Sequence, residues 1–186
     1  MTGDQLLPEF RKFGKIPRFN REIVITEKID GTNGVVYVTE NGLVFAGSRK
    51  RWLTIENDNY GFAAWVWRHQ GELVELGPGF HYGEWYGRGI QRNYGLDHRR
   101  WALFNVGRWN VDNPPPTCCD VVPTLSRDPF PYSGTIPLPL SLLKMQGSVA
   151  VPGFMNPEGI VIYHTAAKQL FKITLEGDGK PKGKSQ

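Results

Sequence analysis

The stretch that decides the fold covers residues 21–47 and reads REIVITEKIDGTNGVVYVTENGLVFAG. Its first eight residues, 21–28, are rich in β-branched side chains and predict a strand. Two further apolar runs, at 35–39 and 43–47, predict a second and a third strand. Asn-Gly at 41–42 joins them, and this pair is the one best suited to a type I′ hairpin turn. The stretch therefore predicts antiparallel sheet on either side of a lysine-containing turn.

Outside this stretch, the hydrophobic pattern predicts two helices and four strands, all of them short. They are a helix over about 58–70, strands over 80–86 and 101–106, a short helix over 140–146, and strands over 159–163 and 169–175. Between residues 107 and 139 proline is dense, which predicts a long irregular segment rather than sheet. Because the strands come in hairpin-like groups and do not alternate with helices, the predicted fold class is α+β, with two antiparallel sheets and flanking helices around a cleft.

The composition is that of a folded globular protein. The 186 residues are 40% hydrophobic, 22% charged and 12% aromatic, which suits one domain with a sizeable core and excludes dominant disorder, collagen and coiled coil. No window approaches the roughly 20 apolar residues that a membrane span needs, and the N-terminus lacks the apolar run of a signal peptide. A cytoplasmic protein without a membrane partner is expected. Cys118 and Cys119 are adjacent, which disfavours a structural disulfide, and the lack of a third cysteine disfavours a zinc finger.

The formal net charge is +4, and the basic residues are clustered. Arg49–Arg51 form one group, Arg88 and Arg92 flank a glycine-rich turn, and the tail 180–184 carries three lysines. Such clusters suit polyphosphate or nucleic acid, although each is also compatible with a solvated face. If the chain binds a polynucleotide, the turn with Arg88 and Arg92 is the segment expected to reach outward and contact it.

A constellation around Lys28 carries the functional signal. TEKIDGTN, residues 26–33, places Lys28 at a strand end, an acid two residues later and Gly31 at the turn. Alone, this pattern is compatible with an ordinary exposed lysine. Five more segments follow in order, and their ordered co-occurrence is what makes the signal specific. They are GSRKRW with Arg49, HYGEWYGRGIQRNYG with Glu84, WALFNV with Phe104, PEGIVIY with Glu158, and QLFKIT with Lys172.

This ordered set resembles the covalent nucleotidyltransferase superfamily of ATP-dependent ligases and capping enzymes, and most closely its nick-sealing RNA ligase branch. The resemblance covers about residues 21–176. It implies the catalytic-domain fold of DNA ligases and mRNA capping enzymes. Many relatives append an OB-fold or helical domain after the last motif, and this chain departs from them in length, so a single nucleotidyltransferase domain over 1–186 without a C-terminal OB-fold or helical appendage is expected. The implied activity is ATP-dependent RNA ligation. A lysyl-AMP forms, AMP passes to a 5′-phosphate end, and a 3′-hydroxyl then displaces it.

The resemblance also implies residue roles. Lys28 is the nucleophile, Glu27 lies beside the adenine, Arg49 and Glu84 address the ribose, Phe104 stacks on the base, and Glu158 serves a divalent metal with Glu84 as a second ligand. Asp30 belongs to the catalytic motif, Asn33 matches a position tied to strand joining, and Lys172 meets the α-phosphate, with Lys168 as a weaker candidate. The alternative for Phe104 is core packing, and the alternative for Asn33 is turn chemistry.

Phosphoryl transfer favours Mg²⁺ or Mn²⁺, since charge neutralisation on the polyphosphate supplies much of the catalysis. Asp30, Glu84 and Glu158 are hard oxygen donors suited to either ion. The four histidines are scattered in sequence, so no cluster of His and Cys is expected to offer a softer site.

Three other functions compete with RNA ligation: an ATP-dependent DNA ligase, a GTP-using capping enzyme, and an end-binding module that keeps the pocket without ligating. The expected partner is RNA or nicked nucleic acid with 5′-phosphate and 3′-hydroxyl ends. A partner protein or domain is the expected source of further contacts with the nucleic acid. Nicked duplex, broken tRNA and single strand all remain open as substrates.

Overall fold

A computed structural model describes residues 9–130 and 135–178 of the chain. The helices in these ranges are α1 (Phe62–Leu73), followed by a 3₁₀ turn (Val74–Leu76), and α2 (Pro137–Gln146). The strands are β1 (Glu22–Lys28), β2 (Thr32–Val38), β3 (Val44–Gly47), β4 (Gly79–Gly87), β5 (Arg99–Leu103), β6 (Asp120–Val121), β7 (Thr124–Pro129), β8 (Gly159–His164) and β9 (Gln169–Thr174).

The strands form two sheets. One has four strands in the order β7-β1-β8-β9, and the other has five in the order β3-β2-β4-β5-β6. Every pairing is antiparallel except the short one between β5 and β6. The α+β class with two mostly antiparallel sheets is thus confirmed. Residues from both sheets line an open cleft of about 1360 Å³.

Helix α1 covers the face of the five-stranded sheet that points away from the cleft. Its Phe62 and Trp65 rings lie 5.3 to 5.8 Å from the rings of Trp85 and Trp101. Gly34 makes this close approach possible, because a Cβ there would lie 2.6 Å from the Phe62 ring. Aromatic side chains bury a large area each, so this cluster is the main anchor of the sheet.

The segment predicted as irregular contains sheet, and that prediction was wrong. Strand β7 pairs with β1 along its whole length, at the edge of the four-stranded sheet. The prolines do not prevent this pairing, because Pro123 precedes the strand and Pro129 ends it. An edge strand tolerates proline at such positions, where no ladder hydrogen bond is lost.

The hairpin between β2 and β3 is present, but its turn is not of type I′. The amide of Gly42 donates to the carbonyl of Thr39 (3.0 Å), and Gly42 has a φ of 80°. A type I′ turn needs positive φ at both central residues, and Asn41 does not have it. Strand β2 ends at Val38 and β3 begins at Val44, so residues 39–43 connect the two strands.

Other boundaries shift by a few residues. Helix α1 begins at Phe62, and Asp58 caps it from outside by accepting hydrogen bonds from the amides of Ala63 (2.7 Å) and Ala64 (3.1 Å). The helix passes through Gly71, the predicted stop. Strand β5 ends at Leu103 rather than at residue 106.

Among the described residues, no helix has the length and apolarity that a bilayer crossing requires. The lysine-rich tail at 180–184 lies outside the described residues.

Candidate active site

Lys28 and Glu158 meet at the centre of the candidate site. Lys28 is the last residue of β1, and its register partner on β8 is Gly159. Glu158 immediately precedes β8, so the pairing of these strands brings the two side chains together. The Lys28 Nζ lies 2.5 Å from Glu158 Oε2, with 21% of the lysine side chain and 6% of the glutamate side chain exposed. The two residues are 130 positions apart in the chain, and the sheet alone joins them.

Glu84 is the second carboxylate of the site. It lies on β4 opposite Asn33 on β2. One of its oxygens accepts a hydrogen bond from the Gly31 amide (3.0 Å) and the other from the Asn33 side-chain amide (3.3 Å). Burial raises the pKa of Glu84 to about 7, and the nearby charge of Glu158 adds to this effect while that of Lys28 opposes it. Glu84 is therefore poised to change protonation near neutral pH, or to bind a cation.

The Asp30 carboxylate lies beside Arg92 and not beside Lys28. Its Oδ2 lies 3.1 Å from the Arg92 Nε, and its backbone amide donates to the Tyr94 hydroxyl (2.8 Å). Asp30 is not among the side chains that line the open cleft. Its carboxylate therefore anchors the β4–β5 loop beside the site.

The loop between β4 and β5 is held in an unusual conformation. Gln91, Asn93 and Tyr94 all have positive φ, which costs free energy for non-glycine residues and recurs at functional sites. Arg92 also donates to the carbonyl of Asn156 (3.3 Å), which lies two residues before Glu158 in the chain. Arg92 is thus fixed at the site, in contrast to the expectation that it reaches outward. Arg88, at the start of this loop, is exposed.

Glu27 is almost fully buried, with 1% of its surface exposed. Its carboxylate accepts hydrogen bonds from the Ser148 hydroxyl (2.6 Å) and from the amides of Val149 and Ala150 (both 2.8 Å). In this structure it ties the end of β1 to the 148–150 segment. Its role beside an adenine stays a prediction.

The cleft brings most of the remaining sequence candidates into one place. Phe104 lies just past β5, is 40% exposed and faces the cleft rather than the core. Arg49, Asn33 and Lys172 line the same cleft as Lys28 and Glu84. Lys168 does not line it, since it lies in the β8–β9 turn with a φ of 53°. Of the two lysines proposed for the α-phosphate, the geometry favours Lys172.

The donors at the site fit a hard divalent cation. Glu158 is buried and Glu84 is half-buried, and burial raises the pKa of Glu84 although the charge of Lys28 opposes this rise. A cation with oxygen preference, such as Mg²⁺ or Mn²⁺, suits such a pair. The roles of both residues as ligands stay predictions.

The structure contradicts the expectation that no His and Cys come together. His69 and Glu72 on α1 and Cys118 in the loop between β5 and β6 have donor atoms within 4.8 Å of one another. His69 Nδ1 lies 2.8 Å from a Glu72 oxygen, and Thr117 donates to the other oxygen (2.9 Å). None of these residues lines the cleft. The cluster therefore lies apart from the candidate active site.

Three contacts of the site were missed by sequence reasoning: the hydroxyl of Tyr94, the ion pair of Arg92 and the hydroxyl of Ser148. The signal for the first two was present, because RNY, residues 92–94, lies in the same HYGEWYGRGIQRNYG segment as Glu84. Ser148 lies in a segment without periodicity, and nothing in its local sequence relates it to Glu27.

Comparison with models of known protein families identifies the family of this chain. The RNA ligase family model matches residues 21–174, which is most of the chain. The chain therefore belongs to the RNA ligase family, as the resemblance indicated. No curated protein matches the chain in sequence.

Solved structures share the fold. A variant of the Naegleria gruberi RNA ligase without ligand matches with a TM-score of 0.59 at 20% identity, over 84% of this chain and 50% of that one. A variant with ATP and Mn matches with a TM-score of 0.58 at 18% identity, over 83% and 49%. A third, with AMP and Mn, gives 0.57 at 19% identity, over 84% and 50%. The chain thus spans about half the length of these structures.

Proposed function

We propose that this chain is the nucleotidyltransferase part of an ATP-dependent RNA ligase that forms a covalent lysyl-AMP at Lys28. The observation that carries the proposal is the position of the Lys28 Nζ. In this member of the RNA ligase family, the Nζ lies in the cleft, 2.5 Å from the Glu158 carboxylate and beside Glu84. Similar folds in Naegleria gruberi contain ATP or AMP with Mn, which supports the choice of nucleotide.

In the first step, the Lys28 nitrogen attacks the α-phosphorus of ATP. As the P–N bond forms, the P–O bond to pyrophosphate breaks and a second proton leaves Nζ to solvent, after a first proton has left the ammonium group to give the neutral, nucleophilic amine. Glu158 is placed to receive the first proton, because its oxygen already accepts a hydrogen bond from Nζ. Lys172, on β9 of the same four-stranded sheet, lines the cleft and neutralises charge on the phosphate.

The base and ribose are assigned to the five-stranded sheet. The Phe104 ring is 40% exposed in the cleft and offers a stacking surface for adenine. Arg49 and Glu84 line the same cleft within reach of a ribose. Glu84 and Glu158 would hold the divalent cation, which when bound neutralises charge on the polyphosphate.

The later steps consume the lysyl-AMP. AMP passes from Lys28 to a 5′-phosphate as the P–N bond breaks, and a 3′-hydroxyl then attacks that phosphate and releases AMP. Asn33 lies opposite Glu84 and donates to it, so it can position the ends while the nucleotide stays bound. The proposed polymer is RNA, because the family is that of RNA ligases.

Separate incubations with ATP, GTP and NAD, each labelled in the phosphate that would be retained, test the donor. Only ATP should label the protein covalently, and Lys28→Arg should remain unlabelled because arginine keeps the charge but does not lose its proton in a protein. Lys50→Arg is the matched control on an exposed cleft lysine and should label normally. Labelling by GTP would indicate capping chemistry, and nucleic-acid binding without labelling by any donor would indicate an end-binding module.

Sealing distinguishes the polymer. With pre-adenylylated nicks of RNA and of DNA, the proposal expects faster joining of RNA ends. Faster joining of DNA would contradict the choice of RNA while leaving the lysyl-AMP chemistry intact.

A further inference from the structure

Five aromatic side chains form a continuous surface on the cleft side of the five-stranded sheet. We name them the aromatic shelf: Tyr37, Phe45, Trp52, Phe80 and Tyr82. Trp52, Phe80 and Tyr82 are 54%, 53% and 54% exposed. Large aromatic residues exposed together mark an interaction site more often than they mark packing.

The rings of the shelf contact one another. The Tyr37 and Phe80 centroids are 4.5 Å apart, and the Trp52 and Phe80 rings are stacked at 26° with centroids 6.1 Å apart. Phe80 and Tyr82 are nearly parallel, at 14°. The exposed rings thus support each other's orientation and present flat faces to the cleft.

Strand register makes the shelf continuous with the candidate active site. Phe80, Tyr82 and Glu84 are every second residue of β4. Side chains two residues apart in a strand point to the same face, so all three point to the cleft. Asn33 is opposite Glu84, and Tyr37 is opposite Phe80. At the usual rise per residue, Phe80 lies roughly 13 Å from Glu84 along the strand. A polymer whose end is held at Glu84 would therefore pass over the shelf.

The charge around the shelf is positive. Arg49, Lys50 and Arg51 lie in the turn that leads from β3 to Trp52, and all three line the cleft. Arg51 is held there by the carbonyl of Asn57 (2.7 Å). Among the described residues that line the cleft, the acids are Glu27 and Glu84, both at the catalytic end. The shelf end therefore combines stacking faces with cations, as single-stranded nucleic acid binding requires.

The size of the cleft agrees with a second occupant. Its volume of about 1360 Å³ is larger than the roughly 300–1,000 Å³ typical of small-molecule sites. The nucleotide residues extend from Lys28 and Glu84 to Phe104, whose amide donates to the carbonyl of Tyr82 at the near end of the shelf (2.9 Å). The other end, at Trp52 and Phe80, has room for further bases.

We propose that the aromatic shelf binds unpaired bases of the RNA strand, so that the substrate has a single-stranded segment next to the end being joined. This inference rests on the proposed function, because it assigns the polymer path of that same site. Bases stack on the exposed rings, and Lys50 contacts the phosphates between them. A continuous duplex cannot use the shelf, since its bases are already stacked and paired.

The test measures binding of a fluorescently labelled single-stranded RNA to the full chain by anisotropy. Trp52→Leu and Phe80→Leu keep apolar bulk and remove the aromatic face. Each is expected to weaken binding by about 5- to 150-fold, as loss of one base–aromatic stack should. Trp67→Leu is the matched control, since Trp67 is 62% exposed on α1 and does not line the cleft. It should bind like the parent.

Three results would overturn the proposal. The first is parent-like binding of single-stranded RNA by both shelf variants. The second is equal or tighter binding of a blunt duplex by the parent. The third is a parent dimer in sedimentation that becomes monomeric in Trp52→Leu with RNA binding unchanged, which would assign the shelf to a second copy of the chain.

Covalent labelling by ATP separates this inference from the proposed function. If the shelf variants label normally and bind RNA weakly, both stand. If the parent labels and the shelf variants bind RNA normally, the shelf assignment alone fails. If the parent never labels but binds RNA in a shelf-dependent manner, the ligase chemistry fails and the RNA site stands.

Discussion

Replacing Glu84 by glutamine should stabilise the metal-free protein at alkaline pH. Burial raises the pKa of Glu84 from 4.5 to about 7, so the folded state binds a proton that the unfolded state releases between these values. Stability is therefore lost as the pH rises through this interval. At about 1.4 kcal/mol for each pH unit, the loss reaches about 3 kcal/mol above pH 7.

The substitution removes this ionisation but keeps the shape of the side chain. A glutamine can still accept from the Gly31 amide, and its amino group requires the Asn33 amide to turn and offer its oxygen. Some of the gain is lost in this rearrangement, so we expect Glu84→Gln to be about 1–3 kcal/mol more stable at about pH 8, and nearly equal to the parent at about pH 5. For a chain of this length, that is a rise in Tm of roughly 2–10 °C.

Thermal unfolding with a chelator present, at the two pH values, measures the effect. Glu75→Gln is the matched control, because Glu75 is exposed in the 3₁₀ turn after α1 and should give no pH-dependent difference. A Tm gain for Glu84→Gln that is the same at both pH values would refute the argument, and so would a loss at pH 8.

Three further substitutions separate the roles of site residues. Asn33→Ala should still form lysyl-AMP but seal pre-adenylylated nicks at least tenfold more slowly, since a contact used in one step affects that step; equal loss in both assays would indicate a structural role. Glu27→Ala should lower stability by about 2–4 kcal/mol in denaturant unfolding, because the buried Ser148 hydroxyl and two backbone amides lose their acceptor; an unchanged midpoint would contradict this. Arg92→Ala should slow lysyl-AMP formation, because it frees the Asp30 carboxylate beside the site, whereas Arg88→Ala should not; parallel behaviour of the two variants would disprove the distinction.

The sequence was sufficient for the strands with clear alternation and local turns. The β2–β3 hairpin and β4 were predicted because their patterns are continuous and their partners are near in sequence. Strand β7 was missed because it is an edge strand that follows a proline-rich segment, and its partner β1 is about 100 residues earlier. Propensity alone carries no information on such a distant pairing.

The site was predicted from motif order rather than from geometry. The contact between Lys28 and Glu158 depends on the register of β1 with β8, which no local pattern determines. Asp30 has a motif position that suggests a catalytic carboxylate, yet the loop between β4 and β5 folds Arg92 onto it. The shelf was visible in the alternation of Phe80, Tyr82 and Glu84, but aromatic residues in a strand more often indicate a core.

The proposed function depends on the covalent attachment of AMP to Lys28. The most direct measurement is incubation of the full chain with ATP and Mg²⁺, followed by proteolysis and mass spectrometry of the peptide that contains Lys28. The account predicts one adenylate on Lys28, absent from Lys28→Arg and retained on Lys168→Arg. An adenylate on another lysine, or one that persists in Lys28→Arg, would contradict it.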